Sequence, residues 1–148
     1  MAAQIFDHEK LDVYRLAVEY VADSFGIAKE LSGLHRHSRD QWLRAAQSIP
    51  LNIAEGNGKQ GLKDKSRYFE IARGSALECA SMHAVLRVCD AIDSESNTHG
   101  KLELKRIVSM LTRLIQRSQS VAEDAFEYEY EYRDACHLYK SDAADDSE

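Results

Sequence analysis

Two stretches decide the reading of this chain. The first is Arg44-Ala45-Ala46-Gln47-Ser48-Ile49-Pro50-Leu51-Asn52-Ile53-Ala54-Glu55-Gly56, and the second is Tyr68-Phe69-Glu70-Ile71-Ala72-Arg73-Gly74-Ser75-Ala76-Leu77-Glu78. Arg44, Ser48, Asn52 and Glu55 recur at spacings of 4, 4 and 3, and Tyr68, Ile71, Ser75 and Glu78 at 3, 4 and 3. Each spacing returns to one face of an α-helix. Gly56, Gly58 and Gly61 lie between the stretches and mark a turn. An antiparallel hairpin turning near Gly61 pairs residues whose numbers add to about 123. Arg44 then faces Glu78, Ser48 faces Ser75 and Glu55 faces Tyr68. The seam of Arg44, Ser48, Asn52, Glu55, Tyr68, Ser75 and Glu78 has two readings. It fixes the register of paired helices, as a polar or ionic group in a packed seam does, or it forms a polar pocket that binds a ligand.

The apolar residues extend the helical reading in both directions. Trp42, Ala45, Ala46, Ile49 and Ile53 form the other face of the first stretch, and Ser38 with Gln41 upstream matches a capping box. Pro50 falls inside a periodicity that does not stop, which predicts a kinked helix rather than a terminus. Phe69, Ala72, Ala76, Cys79, His83 and Leu86 carry the next helix from about Lys63 to Ile92. Before the hairpin, Leu11, Tyr14, Val18, Val21, Phe25 and Ala28 repeat at 3 and 4 after Asp7, a candidate N-cap. After it, the polar stretch Asp93 to Gly100 predicts a loop. Leu104, Ile107, Val108, Leu111, Leu114 and Ile115 then form a fourth buried stripe. Four long helices with short connections give an all-α, up-down-up-down four-helix bundle.

The pattern decays after Val121. Residues 122–148 hold ten acids and two bases, whereas residues 1–121 hold 15 acids and 17 bases. The chain therefore divides into a bundle, 1–121, and an acidic Tyr/Glu-rich extension, 122–148, expected as a frayed helix followed by disorder. The net charge of −6 hides a mildly basic body. No apolar run reaches the roughly 20 residues of a membrane span, and no secretory signal is visible at the N-terminus. Three cysteines without a CxxC spacing suit a reducing, cytoplasmic compartment.

The pattern RAxxSIxxNIAEG followed by YFxIAxGSxxE, with Phe6, Leu11, Val13 and Tyr14 upstream, resembles the four-helix-bundle proteins encoded in intervening sequences of bacterial 23S ribosomal RNA genes. The accessory protein of diversity-generating retroelements is similar. The resemblance covers about residues 5–120 and leaves the acidic extension outside. It implies a left-handed bundle assembled as a ring of five subunits, without catalytic activity. In the retroelement branch it also implies binding to a reverse transcriptase and to nucleic acid through a basic surface.

Chemistry-bearing motifs point the same way. The chain has no Glu-x-x-His for a di-iron centre and no GxGxxG or Walker spacing. Ser75 has no histidine in register for a nucleophilic pair. Cys79 and His83 share a helix face but lack further ligands for a metal. No catalytic residue, metal or cofactor is expected. The expected partners are further copies of the chain, RNA or DNA, or another protein, and not a membrane. Arg36, Arg39, Lys59, Lys63, Lys65 and Arg67, near the two ends of the second helix, are the candidate phosphate contacts.

Overall fold

The computed structural model describes residues 3–145. A 3-10 turn, Asp7–Lys10, leads into α1, Asp12–Ala28. A second 3-10 turn, Gly33–His35, precedes α2, Arg36–Gly58; α3 is Leu62–Val88 and α4 is Ser94–Asp145. Among the described residues, α1 packs on α2 and α4, and α3 packs on α2 and α4, with no close backbone approach across either diagonal. That neighbour order is the up-down-up-down bundle expected from the sequence.

The core is where the stripes of α2, α3 and α4 placed it. Trp42, Ala46, Ile49 and Ile53 are buried from α2, and Phe69, Ala72, Ala76, Cys79, His83 and Leu86 from α3. Leu104, Ile107, Leu111 and Ile115 complete it from α4. Pro50 is buried within α2, which continues past it to Gly58. Proline has no N–H to give the carbonyl four residues back, but tertiary packing on both sides keeps the helix intact.

α1 departs from the expected face. Its buried residues are Val13, Ala17, Tyr20, Ser24 and Ala28, whereas Val18 and Phe25 are exposed. The helix carries two stripes at helical spacing, and the one with smaller residues faces inward. Ala17, Ser24 and Ala28 let the backbone approach its neighbours, and Tyr20 fills the space between them. Among the expected stripe, Leu11, Tyr14 and Val21 pack at the edge of the core.

Two connections also differ from expectation. α2 starts at Arg36, ahead of Ser38, because Gly33 adopts a left-handed φ of 58° and turns the chain early. Arg39 Nη1 then donates to the Leu31 carbonyl at 2.9 Å and ties the turn to the helix. Between α3 and α4, Asp90 takes a φ of 54°, the Ala91 N–H bonds to the Leu86 carbonyl at 2.8 Å, and the Asp90 N–H to Arg87 at 3.1 Å. This is a Schellman stop with aspartate where glycine is usual. Asp93 follows as an N-cap, its Oδ1 accepting the Ser96 N–H at 2.7 Å. The segment Asp93 to Gly100, expected as a loop, is thus a cap and the first turns of α4.

α4 runs past Val121 through the acidic segment to Asp145. The described backbone of the extension is helical. Glu, Ala and Tyr at these positions carry no helix-breaking glycine or proline. Among the described residues, no helix is long and apolar enough to cross a membrane.

Candidate functional site

α2 and α3 run side by side, and the polar residues of the hairpin line the groove between them. The groove has a volume of about 590 Å³ and is bordered by His37, Gln41, Arg44, Ser48, Ser75 and Glu78. At its centre Ser75 Oγ donates to Ser48 Oγ at 2.9 Å. Asn52 Nδ2 donates to the same hydroxyl oxygen at 2.9 Å and to the Ser48 carbonyl at 2.8 Å. Ser48 therefore accepts from both helices, and the structure brings Ser48, Asn52 and Ser75 together.

Arg44 and Glu78 border the same groove, but no ion pair joins them among the described residues. Both are exposed. Gln41 Nε2 donates to Glu78 Oε1 instead, at 3.4 Å. Gln41 lies one turn before Arg44 on the same face, and that spacing is the signal by which the sequence could have shown it. Glu55 and Tyr68 are linked through a third residue. Lys59 Nζ lies 4.0 Å from Glu55 Oε2 and 5.2 Å from the centre of the Tyr68 ring.

The six basic candidates separate into two groups. Arg36 is exposed at the start of α2, and Arg39 is committed to Leu31 and to Asp40, whose Oδ1 it reaches at 3.0 Å. Lys59 is committed as described above, while Lys65 is half-buried. Lys63 and Arg67 border a recess of about 690 Å³ between α3 and α4, together with Asp64, Ser66, Glu70, Ser118 and Glu123. Glu123, from the acidic extension, thus stands beside the basic residues of α3.

Deep in the bundle lies a polar cluster that the helical stripes did not single out. Trp42 Nε1 donates to Tyr20 Oη at 2.9 Å, and Tyr20 Oη lies 2.8 Å from His83 Nε2. The hydroxyl thus accepts from the indole and shares a second hydrogen bond with the imidazole, tying Trp42 to His83. Nδ1 of His83 is buried without a partner. Burial pulls His83 down to about 4, with Lys101 adding a smaller push in the same direction. Burial also pushes the neighbouring Cys79 thiol up to about 12. A protonated thiol and an imidazole already engaged by tyrosine make an inert core, not a reactive pair.

The outer face of α3 is a second unassigned surface. Ile71, Gly74, Glu78, Ser81, Val85 and Val88 recur at 3, 4, 3, 4 and 3, and all are exposed. This stripe lies away from the buried one on the same helix, and Leu77 and Leu51 stand exposed nearby in sequence and register.

A family model described as 23S rRNA-intervening sequence protein matches residues 9–113. Among solved structures, a protein of unknown function from the S23 ribosomal protein family of Bacteroides thetaiotaomicron VPI-5482 is similar. It is 23% identical, with a TM-score of 0.66 over 70% of this chain and 97% of that one. At that identity the likeness is one of fold. No curated protein matches the chain.

Proposed function

The chain belongs to the 23S rRNA-intervening sequence protein family, and from that premise we propose that it is a non-enzymatic scaffold that assembles with copies of itself in the cytoplasm. The observation that carries this reading is the outer stripe of α3. Val88 is 85% exposed and Leu77 52%, with Ile71 and Val85 also open to solvent. Ile71, Val85 and Val88 recur at the spacing by which one helix packs on another, with Gly74, Glu78 and Ser81 between them. Gly74 has open space where a Cβ would stand, so a second backbone can approach closely there. Several exposed large apolar residues on one helix are a mark of an interaction face. A second copy is the chosen occupant because the same α2–α3 side carries both signs of charge, Arg44 and Glu78, exposed and not paired with each other, so the face is complementary to itself. The number of subunits, five, comes from the resemblance to the family and not from this stripe.

Light scattering of the purified chain tests the reading. The expected mass is a multiple of 16.8 kDa. Val85→Glu with Val88→Glu is expected to reduce it to the monomer while leaving helix content unchanged. A monomer at micromolar concentration, or an unchanged mass in the double variant, overturns the proposal.

A second reading, an RNA- or DNA-binding accessory role, is favoured by the recess that holds Lys63 and Arg67. Phosphate binding there is mainly electrostatic and falls steeply with salt. Asp64, Glu70 and Glu123 in the same recess oppose it. Binding of structured RNA at low salt, strengthened by Glu123→Gln and lost in Lys63→Glu with Arg67→Glu, supports this role. Binding indifferent to all three substitutions removes it.

A further inference from the structure

α1 and α4 meet along a line of carboxylates and one imidazole. Glu19 and Asp23 are one turn apart on α1, and His99 and Glu103 are one turn apart on α4. Asp23 Oδ2 lies 3.6 Å from His99 Nε2, and His99 Nε2 lies 3.2 Å from Glu103 Oε1. The three ligand atoms all lie within 4.8 Å of one another. Glu103 Oε1 is shut off from solvent and has no hydrogen-bond partner, although the imidazole nitrogen is beside it. Nitrogen and oxygen therefore sit side by side without the ring N–H aimed at the oxygen.

A cation bound between the two helices would relieve this crowding of negative charge. Two carboxylates from facing helices converge, and Glu19 adds a third negative charge close by. Burial, with the charge of Asp23 next in importance, pushes Glu103 up to about 7, so a proton competes for the place. Ligand atoms around a tetrahedral zinc ion, at bonds of about 2.0–2.2 Å, stand roughly 3.3–3.5 Å apart. The separations of 3.2 and 3.6 Å straddle that value. Calcium and magnesium favour sites built from oxygen alone, whereas imidazole with carboxylates suits zinc and its neighbours.

We propose that Asp23, His99 and Glu103 bind one divalent transition-metal cation of the zinc class, with solvent completing the coordination. The side chain of His99 is 67% exposed and that of Asp23 49%. The open side admits both the ion and its water. Such an ion joins the first helix to the last and fastens the bundle where its ends meet.

The test uses the full chain, freed of metal, with zinc chloride titrated in a calorimeter at neutral pH. One ion per chain is expected, with a rise in unfolding temperature because the ion binds only the folded pairing of helices. His99→Ala and Asp23→Asn, both at exposed side chains, are each expected to weaken binding at least tenfold and abolish the thermal shift. His8→Ala, on the turn before α1, is expected to change neither. Cobalt chloride supplies a spectroscopic check, since visible absorption of a low-coordinate ion should appear in the wild type and vanish in His99→Ala. Circular dichroism verifies that each variant is folded. Binding that survives both substitutions in folded protein assigns the ion to another group and overturns the proposal. Absence of zinc binding at millimolar concentration overturns it as well.

Discussion

His83 shows how much one side chain can determine. It hydrogen-bonds the Tyr20 hydroxyl, stacks edge-on to Trp42 with ring centres 5.3 Å apart, and leaves no room beside Gly100. A Cβ at Gly100 would stand 2.2 Å from His83 Cε1. Gly100→Ala gains helix propensity of about 1 kcal/mol, but the ring is held on two sides and cannot swing away. Overpacking costs about 1–3 kcal/mol, so a net loss of stability is expected in chemical denaturation. The same burial makes His83 a pH sensor of folding. Its pKa in the fold is about 4 against an ordinary 6.5. Between those values the unfolded chain binds a proton that the folded chain refuses. The stability is complete above pH 6.5 and falls as the pH drops towards 4, by on the order of 3 kcal/mol. His83→Gln keeps a hydrogen-bonding group for Tyr20 and lacks the titration. Its unfolding temperature is expected to vary less over that interval than the wild type's. The sequence placed His83 in the core through its spacing, but the partners Tyr20 and Trp42 come from other helices and no local pattern reveals them.

At the scale of elements, α2 and α3 were the most legible because both stripes and the glycine-rich turn agree on one register. The Ser48–Ser75 hydrogen bond sits where that register put the two serines. The Arg44–Glu78 ion pair did not follow, because long exposed side chains lose conformational freedom when they pair and gain little in water. A pair of double-mutant cycles separates the two contacts. Ser48→Ala and Ser75→Ala are expected to couple by about 0.5–1.5 kcal/mol. Arg44→Ala and Glu78→Ala are expected to be additive within about 0.5 kcal/mol. α1 was less legible, since both of its faces carry apolar residues and only the neighbours decide which turns inward. The start of α4 was hidden for a different reason. Its opening residues are polar, and a helix is recognised there by the Asp93 cap and not by periodicity.

For the molecule as a whole, composition and spacing were sufficient for the bundle because each helix repeats one simple pattern over many turns. Surface function was less legible. The exposed stripe of α3 has the same spacing as a buried one, so only the packed structure tells the two apart. The Asp23–His99–Glu103 cluster joins residues far apart in sequence, and of its contacts only the four-residue step from His99 to Glu103 is local. The core cluster has a further consequence, for cooperativity. Tyr20, Trp42, His83 and Gly100 belong to the four helices in turn, so no helix can withdraw without opening this layer. α4 differs beyond Ser118, where every side chain the structure describes is exposed. Native-state hydrogen exchange should therefore divide the chain in two. Amides around the layer should exchange only through global unfolding, at one common free energy. Those of α4 past Ser118 should exchange through local opening, at free energies that decline with distance from the bundle. A single protection level along all of α4 would mean that a partner, or a second copy of the chain, holds the overhang in place.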